Sequence, residues 1–290
     1  MMIPAAKDWL ASPNKKVLLF GMSGLGKTHV SNMLRATGAW FHYSIDYRIG
    51  TRYMGEHIVD NFKFHAMKDP FLAELLRSDS IYIGSNITFN NLAPLSTYLG
   101  KPGNPDLGGL PCEEYRRRQD LHRTAEINAL LDTPHFINRA EALYGYPNFV
   151  CDTGGSICEV VDPWDENDPV LKSLAENTLM VWIQGNEAHT DALISRFDKS
   201  PKPMYYQPEF LERVWSEYLS DNKLQENEVN PDDFVRSAYA RALEARQPRY
   251  AAMAENWGVS VCAEDVAQAT TPDAFVALIG KALEKRAKAA

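Results

Sequence analysis

The chain is predicted to fold as an α/β structure, a five-stranded parallel sheet between layers of helices. Three observations predict it. Val17-Leu18-Leu19-Phe20 is a short apolar run that leads straight into a glycine-rich turn and then a helix-forming stretch. Four further short runs, at 40–45, 148–151, 178–183 and 259–262, are rich in β-branched and aromatic residues, and segments of helical character separate them. The second and third runs are each followed at once by an aspartate, Asp46 and Asp152. The carboxyl ends of parallel strands are where such sheets bind ligands.

The first run and its turn carry the most specific signal. Gly21, Gly26, Lys27 and Thr28 satisfy G-x-x-x-x-G-K-[ST], the P-loop pattern, inside Gly21-Met22-Ser23-Gly24-Leu25-Gly26-Lys27-Thr28. Its backbone N–H groups wrap a polyphosphate, and glycines permit the turns and the close approach. The helix that follows offers its positive end to the same phosphates. The expected nucleotide contacts are Gly21, Ser23, Gly24, Leu25, Gly26, Lys27, Thr28 and His29. Lys27 reaches the β/γ-phosphates and the Thr28 hydroxyl binds Mg²⁺. By residue usage alone the four fixed positions match in roughly one chain of this length per hundred. The strand before the turn and the helix after it make a ligand-free βα turn the weaker reading.

In chain order, residues 5–12 are expected as a short helix packing Trp9 and Leu10 on the sheet. A helix at 28–35 follows the loop, and the aromatic run 40–45 is the second strand, with Asp46 at its tip. Residues 52–67 are helical in pattern, with Ile58, Phe62 and Met67 on one face. Residues 70–76 continue as a helix with Pro70 in its first turn, and 96–111 are loop-like. A helix is expected over 113–142. It contains Arg116-Arg117-Arg118, read either as a solvated face or as a contact for an anionic substrate. Asp152 follows the third strand and is the expected carboxylate for Mg²⁺ or its water. Gly154 and Gly155 then let a substrate or phosphate approach the backbone. Between the fourth and fifth strands come helices at 187–197, 210–218 and 232–246, with the polar, proline-bearing loop 198–203. That loop is read as a lid that closes over the phosphates or as plain surface. Residues 272–290 are expected as a final amphipathic helix with Phe275, Leu278 and Leu283 inward.

Composition narrows the function. The chain has 290 residues, is 45% hydrophobic and carries a formal charge of -8, so a general basic surface for duplex nucleic acid is absent. Four cysteines, Cys112, Cys151, Cys158 and Cys262, form no Cys-x-x-Cys or zinc pattern. A reduced, cytoplasmic protein is expected. The opening residues have no signal-type apolar core, and no apolar run approaches the ~20 residues of a membrane span.

Several blocks, in order, resemble shikimate kinase and its gluconate-kinase-type relatives among the P-loop small-molecule kinases. They are the loop at 21–28; Ser44-Ile45-Asp46-Tyr47-Arg48, similar to an Asp-x-Asp strand end; and Asp152-Thr153-Gly154-Gly155-Ser156, similar to a Thr-Gly-Gly-Gly turn. Arg196 followed by Lys202-Pro203-Met204 looks like a lid arginine followed by Arg-Pro-Leu-Leu. Residues 246–254 are close to Arg-x-Pro-x-Tyr-x-x-x-Ala. The resemblance covers about half of the chain. It implies the P-loop NTPase three-layer fold, ATP and Mg²⁺, and phosphoryl transfer to a hydroxyl. It puts Arg246 and Pro248 at the adenine and Arg196 on the transferring phosphate. The sequence departs from the pattern at Ser44, at Ser156 and at the loose match Tyr115-Arg116-x-x-Gln119. Asp152 is expected to supply the metal-side carboxylate that Ser44 lacks.

The function expected is therefore an ATP-dependent phosphotransferase acting on a small anionic or polyhydroxy metabolite. Lys27, Asp46 and Arg196 are its catalytic residues, and Thr28 and Asp152 hold the metal. Asp46, Arg48, Arg116, Gly154 and Gly155 bind the acceptor. Residues 1–52 and 147–290 are expected to form the nucleotide core, with a lid at about 187–240. Residues 53–146 are expected as a mainly helical insertion for acceptor binding or docking. The rival readings are an ATPase or nucleotide-dependent switch and a toxin-like kinase of a larger substrate. Oligomeric state is not read from the residues.

Overall fold

The structure is a computed structural model that describes residues 3–289. Five strands form one sheet in the order β2-β3-β1-β4-β5. They are β1 (Lys16–Phe20), β2 (Trp40–Ser44), β3 (Asn148–Asp152), β4 (Leu179–Gln184) and β5 (Gly258–Cys262). Every adjacent pair is parallel, as expected. β1 is central, and Val17, Leu18, Leu19 and Phe20 are all completely buried. A parallel strand covered on both faces reads as a continuous apolar run, which is why this one was legible.

The helices in order are α1 (Ala6–Ala11), α2 (Lys27–Arg35), α3 (Ile45–Arg48), α4 (Gly55–Ala66), α5 (Pro70–Arg77), α6 (Ala93–Leu99), α7 (Cys112–Leu131) and α8 (Thr133–Tyr144). They continue as α9 (Ile157–Val160), α10 (Pro169–Asn177), α11 (Glu187–Lys199), α12 (Pro208–Asn222), α13 (Pro231–Trp257), α14 (Ala263–Gln268) and α15 (Pro272–Ala289). Sequence-encoded caps start several of them. Asp69 accepts from Leu72 N before Pro70, Asp168 accepts from Val170 N and Leu171 N, and Asn186 and His189 form a capping box at α11.

Side-chain alternation assigns the two faces near β2 and β3. Tyr43 stacks on Phe136 of α8 at 4.5 Å, and Phe41 stacks on Phe149 at 5.9 Å. Residues 41, 43 and 149 therefore face α8. His42, Ser44, Val150 and Asp152 face the other way, where α2 packs against β2 and β3.

The chain separates into two compact units. The first holds the sheet and comprises residues up to Ile45, Ile127–Ser200, and Arg236 onward. The second comprises Asp46–Glu126 and Pro201–Val235 and is helical. These divisions fall at other places than the expected boundaries: 127–146 go with the sheet and 201–235 with the helical unit. In the second unit Ile58, Tyr98, Tyr115, Tyr206, Val214, Trp215 and Phe234 are buried, with Trp215 edge-on to Phe234 at 4.7 Å.

Some expectations are corrected. Trp9 is anchored to α15, its Nε1 donating to Val276 O at 3.0 Å. Leu10, 48% exposed, lies over Gly280 of the same helix. Ile45 opens α3 and does not extend β2. The single helix expected at 113–142 breaks at Asp132, because Pro134 suits only a first turn. Met67 is 37% exposed and ends α4's apolar face early. The helix expected to stop at 246 runs on to Trp257 through Pro248. In α15, Ile279 takes the buried position expected of Leu278. Ala290, the expected end of that helix, lies outside the described residues.

Candidate phosphate-binding site

The loop between β1 and α2 is held at every residue by a different element of the first unit. A Cβ on Gly21 would meet Ile183 O of β4 at 2.6 Å. The Gln247 side chain lies 2.9 Å from the Met22 sulfur. Gly155 closes on Ser23: a Cβ there would meet Ser23 Oγ at 3.1 Å and Ser23 N at 3.4 Å. Gly185, just past β4, packs in the same way on Leu25, and Val266 of α14 lies beside Gly26. The loop is thus preorganised by tertiary packing.

Gly24 is a second position in the loop that admits no side chain. Its φ is +89°, and a Cβ would meet Arg196 Nη2 at 2.7 Å. Any side chain there would be strained in the backbone and would displace the guanidinium. The same contact places Arg196, in the last turn of α11, directly over the loop. Gly26 caps α2 with a left-handed backbone and supplies no side-chain cap.

Lys27 is 7% exposed, and its Nζ donates to Gly21 O at 2.7 Å and Met22 O at 2.9 Å. The ammonium is folded against the loop's own carbonyls. Thr28 and His29 follow in the first turn of α2, both exposed.

Asp152 and the Gly-Gly turn are positioned by β3. Thr153 donates through N and Oγ1 to Leu19 O, at 3.2 and 3.1 Å, which ties the turn to the end of β1. Asp152 is 6% exposed and lies on the α2 face. Its Oδ1 is buried, accepts no well-formed hydrogen bond and lies 3.1 Å from His42 Nε2. A carboxylate at this strand end, on the face of the helix that begins Lys27-Thr28 and with Oδ1 turned to His42, fits a divalent cation or its water through its other oxygen. Among the described residues no group of three or more His, Cys, Asp and Glu side chains forms a metal cage. A metal here would be completed by phosphate oxygens and water, the usual arrangement for Mg²⁺. His42 was not singled out from the sequence. Its place in an aromatic run masked it, and only strand pairing brings it to Asp152.

Other expected residues are placed differently. Arg246 is 3% exposed and ion-paired to Glu159 at 2.6 Å, with Nη1 near Gly155. The resemblance implied an adenine contact, whereas this side chain is sealed behind the Gly-Gly turn. Tyr250 joins it by donating to Gly155 O. Pro248 is exposed on α13.

Asp46, Arg48 and Arg116 belong to the second unit. Asp46 sits in the first turn of α3, two residues past the end of β2. Arg48 lies over the Tyr53 ring at 5.5 Å. Arg116 closes its fork on Glu212, Nε to Oε1 at 2.6 Å and Nη2 to Oε2 at 3.0 Å. To bind an acceptor it would have to exchange that bidentate partner. Arg117 and Arg118 both bind Glu114, whose carboxyl is held down at about 2, chiefly by the Arg117 hydrogen bond. The arginine triplet is thus largely spent on protein carboxylates. Tyr43 is core, donating to Ala129 O at 2.7 Å, while Tyr47 stacks on Phe89.

No helix among the described residues is long and apolar enough to cross a membrane. No family model matches the chain, and no curated protein does. Among solved structures the chain is similar to the shikimate kinase of Bacteroides thetaiotaomicron. The identity is 15% and the TM-score 0.36, over 95% of this chain and 97% of that one. So distant a likeness carries no statement about activity.

Proposed function

We propose that the chain is an ATP-dependent phosphotransferase that moves the γ-phosphoryl group to a hydroxyl of a small, anionic or polyhydroxy metabolite. One observation supports this above the rest: the Gly24 loop is clasped by its neighbours with Lys27 folded into it and the Arg196 guanidinium against it. Two cations on one amide-lined loop suit a polyphosphate whose terminal group gains charge in transfer.

In this reading the loop amides of 21–28 and the first turn of α2, including His29, hold the phosphates. Lys27 and Arg196 neutralise the transferring group. Thr28 and Asp152 would hold Mg²⁺, which when bound would offset the phosphate charge. Gly154 and Gly155, packed closely beside Ser23, are the turn that the acceptor would approach. Arg246 supports that turn from behind, and Pro248 is given no part. Asp46 accepts the acceptor's proton as its oxygen bonds to the γ-phosphorus and the bond to ADP breaks. Arg48 and Arg116 are candidates for the acceptor's anionic group, Arg116 only after leaving Glu212.

The test is transfer of label from γ-³²P-ATP into a metabolite extract. A labelled small molecule is expected with the wild-type chain. Asp46→Asn should abolish that product while ATP binding persists. Label appearing only as inorganic phosphate would favour an ATPase, and unchanged turnover in Asp46→Asn would remove Asp46 from the chemistry.

A further inference from the structure

We infer that His42 is the positioning residue of Asp152 and, through it, of the divalent metal that accompanies the nucleotide. This rests on the reading of the 21–28 loop as a nucleotide site. The register pairs His42 with Val150 and Ser44 with Asp152, so His42 and Asp152 are diagonal neighbours on the α2 face. Nε2 stands 3.1 Å from Oδ1, and the two side chains are 1% and 8% exposed.

That polar pair lies in a seam where apolar residues would pack more cheaply. Val17, Leu19 and Val150 line the same sheet face, and α2 turns Val30 and Leu34 inward. An imidazole and a carboxylate buried there cost desolvation that a valine would not. Ser31, one turn past Thr28, adds a buried Oγ without a hydrogen bond to the same side of α2. Asp152, with Thr28 in the first turn of α2, is one of the two residues assigned to the metal.

The chemistry of the pair follows from its geometry. An unsupported carboxylate at a strand tip rotates, and a metal must order it on binding. With Oδ1 kept against the imidazole edge, that rotation is restricted beforehand and Oδ2 is the oxygen left for the metal or its water. Outer partners of this kind orient ligands, and their loss costs roughly 10–100-fold in metal affinity.

Calorimetry on the full chain tests this without turnover. ATP is titrated with and without Mg²⁺, and the ratio of the two dissociation constants gives the metal coupling. In the wild-type chain Mg²⁺ is expected to tighten ATP binding. In His42→Phe that ratio should fall about 10-fold or more, with metal-free ATP affinity unchanged. His42→Gln, which keeps an N–H near the Nε2 position, should restore most of it. In an Asp152→Asn background His42→Phe should change nothing further. Thermal denaturation checks folding, and where His42→Phe does not fold, the smaller polar His42→Asn takes its place. Wild-type coupling in these variants, or an equal loss in the Asp152→Asn background, overturns the role of His42 alone. A wild-type chain that binds no ATP, or binds it without regard to Mg²⁺, overturns the parent reading and this inference with it.

Discussion

Lys27 carries the charge around which the loop is built. Its ammonium, 7% exposed, is solvated by two loop carbonyls instead of water. On the proposed function, Lys27→Ala removes a preorganised cation from the transferring group and should lower kcat by roughly 10²–10³-fold. Steady-state kinetics would show this, and a wild-type kcat/KM would detach the loop from the reaction. A second residue-scale expectation concerns the thiols. Cys112, Cys151 and Cys158 are buried and Cys262 is exposed. Burial pushes the Cys112 and Cys158 thiols up to about 12, so neither ionises near neutrality. A thiol-specific chromogenic reagent should therefore titrate one group rapidly in the native chain and four after denaturation. Three fast groups would contradict the packing. At this scale the loop residues were legible because their chemistry is local in sequence. His42 was not, because its meaning depends on a carboxylate 110 positions away.

α7 shows how an element can mislead. Its buried side is polar: Tyr115, Arg118, Gln119, His122 and Glu126 are all nearly inaccessible. A periodicity search looks for apolar stripes and sees none there. The stripe grips the segment after Lys202-Pro203. Gln119 donates to Met204 O at 3.1 Å and accepts from Tyr206 N at 2.9 Å, and Tyr115 also donates to Met204 O. In the second unit, residues 204–206 are thus pinned to a helix and do not form an open lid. His122 stacks on Tyr205 at 5.1 Å, with Glu126 at 3.7 Å, and burial holds the imidazole down at about 4. The unfolded chain, with its histidine near 6.5, takes up this proton first as pH falls. Stability contributed by neutral His122 is present above pH 6.5 and drains away between 6.5 and about 4. The loss is of order 3 kcal/mol when complete. Denaturant midpoints of His122→Asn should show a flatter pH slope than wild type across that window. Equal slopes would mean the imidazole is solvated in the native state.

For the molecule as a whole, binding and folding are linked. A ligand that binds only the native chain stabilises it by about 2.7 kcal/mol at a hundred times its dissociation constant. For a chain of this size that is roughly 5–10 °C in Tm. Mg·ATP at such a level should raise Tm by that amount, and ATP with chelator should raise it less. No shift at any Mg·ATP concentration would leave the loop without its ligand. The division into two units was only partly legible. Helical patterning marked residues 53–146 as mainly helical, but α7 and α13 each run through a division point, and a continuous helix gives no compositional break to read.

By itself the sequence determined the five parallel strands, the glycine-rich turn after β1 and the two aspartates, one just past β2 and one at the end of β3. Strand hydrophobicity, glycine turns and the Gly-Lys-Thr spacing are properties of neighbouring residues. Only the tertiary structure decided that Arg196 stands against Gly24, that Arg246 is sealed against Glu159 and that His42 meets Asp152. These pairs join residues far apart in the chain, and their geometry is set by strand register and helix packing, which no local pattern encodes.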